Sequence, residues 1–239
     1  GIYEKAMPES FSFKEKLALA RRAGFNYLEI SIDESDKKLS RVFDASTRRE
    51  FVNAAKNSDI RVKTMCLSGH RRFPLGSHDA ETRKKSLELM QAAIDFALDA
   101  GVRIIQLAGY DVYYEEGDDF TRAAFAENLA KCAEMAARAG VYMGFETMET
   151  EFMNTATKAK HYVDMINSPY LKIYPDMGNI RNATEDYLGD LRACRGDIIA
   201  AHLKETVAGV YRDMEFGDGR VDFAGCIEEL LGQGVRMFT

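Results

Sequence analysis

VYMGFETME (141–149) reads as a strand with two faces: Val141, Met143 and Phe145 form an apolar row, while Tyr142, Gly144 and Glu146 share the other side. The reason is that alternate side chains of a strand point the same way. Two later stretches repeat the arrangement. In LKIYPDMGN (171–179), Asp176 shares its face with Tyr174, opposite Ile173. In IIAAHLKET (198–206), Ile199, Ala201 and Leu203 face outward and Ala200, His202 and Lys204 inward. An earlier strand, 27–33, turns Leu28, Ile30 and Ile32 outward and Tyr27, Glu29 and Ser31 inward, so Glu29 is expected to be buried. Glu146, Asp176 and His202 each stand on the inner parity at the C-terminal end of a strand. In a parallel barrel such ends meet on one face, where active sites are built.

Working outward, strand-like runs at 1–4, 27–33, 60–68, 102–109, 141–147, 171–176, 198–204 and 235–239 alternate with helical patterns near 12–23, 47–57, 82–100, 121–140, 157–166, 186–195 and 223–233. Strands alternating with helices imply a parallel sheet covered by helices. Gly24, Gly101, Gly140 and Gly234 sit where left-handed helix caps are expected. The fold class is α/β, a (β/α)₈ TIM barrel lacking the helix after the eighth strand, in one domain over 1–239 that reads as trimmed at the C-terminus and also at the N-terminus. A dinucleotide-binding open sheet would need GxGxxG after its first strand, and that pattern is missing.

The 239 residues fit a barrel of about 250. A 46% hydrophobic fraction supplies a core, and no apolar run approaches the roughly 20 residues of a bilayer span. No membrane partner is expected. The net charge of −6 argues against a nucleic-acid surface, which usually carries a basic stripe. Cys66, Cys132, Cys194 and Cys226 are widely spaced, as reduced thiols of a cytoplasmic protein would be, and GIYEKAMPES has no secretion pattern.

Glu, Asp and His suit one divalent metal ion while leaving positions open for a substrate's adjacent oxygens. Zn, Mn and Mg all tolerate such ligands, so the metal's identity stays open. If the ion gripped a ketone and its neighbouring hydroxyl, it would stabilise the enediolate formed when a base removes the carbon-bound proton. Glu146 is the candidate base. The plainer alternative is that each residue caps the following helix or pairs with a cation. CLSGHRRFPLGS (66–77) places His70, Arg71 and Arg72 in a loop on the active face, where they suit a phosphate group. A solvated or salt-bridged loop is the alternative. FGDGRVDF (216–223) offers a weaker glycine cradle for phosphate, or a plain turn before a helix. Lys204 is placed to add positive charge at a developing oxyanion, or to pair with an inward acid such as Glu29. The helical apolar residues Phe125, Leu129 and Met135 read as core.

GIYEKA, YLEISIDESDKKLSR, CLSGHRRFPLGS, IIQLAGYDVYY, the Glu146 strand, YPDMGN, HLKET and FGDGRVDF together resemble the L-ribulose-5-phosphate 3-epimerase family, also called L-xylulose-5-phosphate 3-epimerases, across the whole chain. That resemblance implies a metal-dependent barrel acting on a small phosphorylated ketopentose in bacterial L-ascorbate catabolism. It implies that Glu146, Asp176 and His202 bind the metal, with Glu146 exchanging the C3 proton. A second glutamate on the opposite face normally follows an F-T-like pair; here the pair is Phe238-Thr239, with no counterpart after it, so weak metal affinity and poor turnover are expected of this polypeptide. Substrate-binding candidates are His70, Arg71, Arg72, Glu29 and Lys204. Alternatives are another sugar isomerase of the same barrels, a phosphodiesterase like the apurinic endonucleases, or a non-catalytic sugar-phosphate binder. The sequence leaves the oligomeric state open, with a homodimer, the commonest symmetric assembly, as one option.

Overall fold

In the computed structural model, which describes residues 1–239, six strands occur in one sheet in chain order. The chain divides into two compact units, residues 1–107 with 111–143, and residues 108–110 with 144–239. In the first unit β1 (Ile2–Tyr3), β2 (Tyr27–Ile32), β3 (Arg61–Leu67) and β4 (Ile104–Ala108) pair in parallel, with Tyr3 opposite Glu29, Glu29 opposite Thr64 and Thr64 opposite Ile104. All six residues of β2 are buried. The apolar row meets helices on one side, and the polar row, Glu29 included, is also shut off from water, as expected of a parallel strand covered on both faces. A register shift sets Leu28 against Val62 but Glu29 against Thr64, so Lys63 is an extra residue in β3.

The helices of this unit are α1 (Phe13–Arg22), α2 (Asp36–Phe43), α3 (Ala45–Lys56), α4 (Ala80–Ala100) and α5 (Asp119–Ala139). Ser12, Ser35, Asp44, Asp79 and Asp118 accept the first free N–H groups as N-caps. Gly101 and Gly140 end α4 and α5 at φ 78° and 68°, a left-handed geometry that lacks a steric cost only for glycine. The inner face of α4 buries Leu89, Met90, Ala93, Ile94 and Ala97 at helical spacing. Burying each large side chain of that row contributes about 1.5–3 kcal/mol. α2 lies outside the helical patterns expected from the sequence, because its short apolar row, Leu39 and Val42, gives little periodicity; Ser35 as cap starts it all the same.

In the second unit, the C-terminal part of β5 (Tyr142–Glu146) and β6 (Leu171–Ile173) are followed by bridged segments rather than full strands. Ile173 bridges Ile198, Asp176 bridges His202 and Ala201 bridges Phe238, all in parallel. Pro175 explains the interruption. It has no N–H to give the ladder, yet its carbonyl accepts the His202 N–H at 2.9 Å. The seventh and eighth strands of the sequence reading are thus present as connections, with shorter regular hydrogen bonding. The helices here are α6 (Ala156–Ile166), α7 (Met177–Ala183), α8 (Tyr187–Ala193) and α9 (Phe223–Gly232). α7 was not anticipated, since its seven residues include Gly178 and carry no clear apolar period. No helix is long and apolar enough to cross a membrane. The four cysteines are free and buried.

Candidate metal centre

Glu146 closes β5, Asp176 follows β6 after the Tyr174-Pro175 pair, and His202 lies on the bridged segment beside it. One ligand atom from each lies within 4.8 Å of the others. His202 Nδ1 is 3.1 Å from Glu146 Oε1 and 3.9 Å from Asp176 Oδ2. The Tyr174 ring meets the imidazole edge to face at 5.0 Å and limits its rotation. The side chains of His202 and Glu146 keep 10% and 13% exposure, whereas Asp176 keeps 2%. Glu146 therefore has the more open carboxylate.

Asp176 does two jobs with its two oxygens. Oδ1 caps α7 by accepting the Asn179 N–H at 2.9 Å, and Oδ2 faces His202 and the Lys204 ammonium, 3.3 Å away. Helix capping and ligand placement, opposed readings in the sequence, coexist here. Burial holds the Asp176 carboxyl above its usual range; Lys204 pulls it down and Glu146 pushes it up. Thr147 ties the neighbouring strand in. Its hydroxyl accepts the Asp176 N–H at 3.0 Å and donates to the Asp176 carbonyl at 3.2 Å. Asn179, 2% exposed, donates from Nδ2 to the Thr147 carbonyl at 2.6 Å and accepts from Lys204 Nζ at 2.7 Å. The sequence reading passed over Thr147 and Asn179. An amide three residues after Asp176, at the start of a capped helix, was the available signal.

The glycine segment 216–223 is organised by a carboxylate of the chain itself. Glu205, 3% exposed, accepts N–H groups from Gly217 at 2.9 Å, Val221 at 3.1 Å and Thr206 at 3.1 Å. A Cβ on Gly219 would lie 2.2 Å from Glu205 Oε1 and 2.4 Å from the Thr206 carbonyl, so only glycine fits. In the segment read as either a weak phosphate cradle or a plain turn, the amides of Gly217 and Val221 donate to Glu205.

Of the substrate-binding candidates, Lys204 joins the cluster. Glu29, His70, Arg71 and Arg72 belong to the first unit. Glu29 is fully buried between Tyr3 and Thr64 in the sheet register. His70 is 6% exposed with Nε2 3.2 Å from the Ser86 carbonyl, and burial pushes its imidazole down to about 4, partly offset by that bond. It is neutral near pH 7. The Arg71 guanidinium lies 5.2 Å from the Tyr113 ring centroid. Arg72 is exposed and paired with Asp36 at 2.6 Å.

The donor set fits a divalent ion: two carboxylates and an imidazole, inward-facing, with one ligand atom from each gathered within 4.8 Å and the His202–Glu146 spacing of 3.1 Å near the ~3 Å between adjacent ligands of an octahedral ion. Residues 17–238 match the family model for the xylose isomerase-like TIM barrel. The L-ribulose-5-phosphate 3-epimerase UlaE of Escherichia coli is 46% identical over 235 residues, which are 98% of this chain and 83% of that protein. Among solved structures, an L-ribulose 3-epimerase superposes with a TM-score of 0.79 at 21% identity, covering 100% of this chain and 78% of that one. The IOLI protein with a bound zinc atom gives 0.79 at 15% identity, covering 99% and 86%. The fold is thus a parallel TIM barrel, and the chain belongs to the L-ribulose-5-phosphate 3-epimerase family of xylose isomerase-like barrels.

Proposed function

We propose that this chain interconverts L-xylulose 5-phosphate and L-ribulose 5-phosphate by moving the proton at C3, using a divalent metal ion held by Glu146, Asp176 and His202. The observation that carries the reading is the meeting of those three side chains, from strand ends far apart in sequence, at 3.1 and 3.9 Å from His202 Nδ1. The name of the 46% identical relative supports the substrate, and the zinc in the IOLI structure supports a metal in this fold. A bound Zn, Mn or Mg ion would polarise two adjacent substrate oxygens and neutralise charge that develops on them. Glu146, the more exposed carboxylate, removes or returns the proton on one face of C3, and inversion takes a second acid–base group on the opposite face. Asp176, fixed by Asn179 and Lys204, stays in place. The Lys204 ammonium stabilises negative charge on the substrate beside it.

His70, Arg71 and Arg72 remain the proposed contacts for the phosphorylated end, His70 as a neutral hydrogen-bonding group, and Glu29, buried in the sheet, remains a further substrate-binding candidate. The family match runs through both compact units, which supports one catalytic domain over 1–239. A cytoplasmic homodimer belongs to the same proposal.

The test is solvent-deuterium incorporation at C3 of L-ribulose 5-phosphate with saturating Mn²⁺. Exchange needs only abstraction and return, so it reports on Glu146 even where the configuration is retained. Incorporation at C3 is expected. Its absence with the intact, metal-loaded protein would overturn the reading.

A further inference from the structure

We propose that Asn179 is the positioning residue of the metal centre: its side chain links the stretches that follow Glu146 and His202, and its backbone N–H holds Asp176. The inference rests on the metal-centre reading above and adds a residue to it. Asn179 makes a separate hydrogen bond toward each ligand's segment: its backbone N–H donates to Asp176 Oδ1, its Nδ2 donates to the carbonyl of Thr147, next after Glu146, and its Oδ1 accepts from the ammonium of Lys204, two residues after His202 and on the same strand face.

The amide is the chemically required group. The Thr147 carbonyl only accepts and the Lys204 ammonium only donates, so the side chain must present a donor to one and an acceptor to the other. These partners also fix which end of the amide is nitrogen. A carboxylate would repel the Thr147 carbonyl, and an aliphatic chain would satisfy neither partner. Asn179 is 2% exposed, so water does not readily replace the lost bonds. Lys204 in turn lies 3.3 Å from Asp176 Oδ2. By holding Lys204, Asn179 also governs the charge beside a ligand oxygen. Groups that orient metal ligands in this way change metal affinity by about 10–100-fold when removed.

The experiment compares Mn²⁺ affinity by titration calorimetry with the unfolding temperature of the metal-free protein, for the wild type, Asn179→Leu and Leu230→Ala. Leu230 is fully buried in α9 and its truncation is a packing loss alone. Asn179→Leu is expected to weaken Mn²⁺ binding roughly 10–100-fold, whereas Leu230→Ala lowers the unfolding temperature and keeps wild-type affinity. Should the leucine variant fail to fold, Asn179→Ala, which removes both side-chain bonds without adding bulk, carries the same expectation. A folded Asn179 variant with wild-type Mn²⁺ affinity overturns the positioning role while leaving the metal centre standing. A wild type that binds no Mn²⁺ overturns the metal centre and this role with it.

Discussion

The Glu205 carboxylate accepts the Gly217 backbone N–H at 2.9 Å, which turns a glycine segment suited to phosphate into the wall of a buried internal acid site. Backbone N–H groups hold the Glu205 carboxyl below its usual range against the opposing effect of burial. Glu205→Gln keeps one acceptor and points an NH₂ at backbone donors. It is expected to lower stability by about 1–3 kcal/mol, read from urea unfolding at pH 7. Because the folded-state pKa is depressed, this contribution is present above the ordinary carboxylate value and is lost as pH falls through the folded one.

A second internal acid, Glu4, is 1% exposed and meets Arg41 at 2.6 Å, Lys38 at 2.7 Å and Lys16 at 3.5 Å. Burial alone would raise its carboxyl, but hydrogen bonds and charge from Arg41 and Lys38 outweigh that and bring it down to about 2. Glu4→Gln would leave buried cations without their counter-charge. Breaking such a group costs about 3–5 kcal/mol. Since the folded pKa is depressed from 4.5 to about 2, the stabilisation is complete above pH ~4.5 and fades as pH falls toward ~2. Unfolding measured across that window should fall steeply for the wild type and less so for the variant.

The residues of the candidate site were unequally legible in the sequence. The inward parity of Glu146 and His202 follows from a period of two, which any strand obeys. Asp176 was harder, because Pro175 breaks the ladder before it and the residue also caps α7. For Asn179 the only signal was an amide three residues after Asp176, which does not name its side-chain partners. Its partners Thr147 and Lys204 are 32 and 25 residues away, and only folding brings them together. Burial likewise decides His70: its loop looks exposed and basic, yet the ring turns to the Ser86 carbonyl and stays neutral.

His78 has the opposite character. Its Nδ1 lies 2.8 Å from Glu115 Oε2 and its Nε2 3.0 Å from Asp118 Oδ2, with Phe120 stacked on the ring. Both nitrogens donate only in the protonated ring, and the bonds to Asp118 and Glu115 raise its pKa. With the folded pKa raised, the link is fully formed below the ordinary value of 6.5 and is lost as pH rises through the folded one. Proton NMR is expected to show a midpoint above 6.5. Asp118→Asn, which keeps a good N-cap for α5, should move it down.

Arg72 separates phosphate recognition from stability. Its pair with Asp36 is exposed, and such pairs contribute about 0–1 kcal/mol. Arg72→Ala should therefore leave thermal unfolding nearly unchanged. If the arginine grips the phosphorylated end, KM for L-ribulose 5-phosphate rises about tenfold or more, the scale of one charge-assisted hydrogen bond, while KM for unphosphorylated L-ribulose does not change. Equal KM values in wild type and variant would remove Arg72 from the site.

Asp176→Asn tests whether this acid is kept for the metal or for the fold. Asparagine caps a helix about as well as aspartate, so the bond from the Asn179 N–H survives and α7 still starts in place. The variant also removes a buried carboxylate whose charged form burial disfavours. Metal-free Asp176→Asn should consequently unfold at or above the wild-type temperature. The two proteins should part when Mn²⁺ is added. A ligand at 100 times its Kd stabilises the folded state by about 2.7 kcal/mol, and the wild type should show a shift of that order while the variant shows little. A lower unfolding temperature without metal, together with an unchanged Mn²⁺ shift, would make Asp176 a structural cap and leave Glu146 and His202 to hold any ion without it.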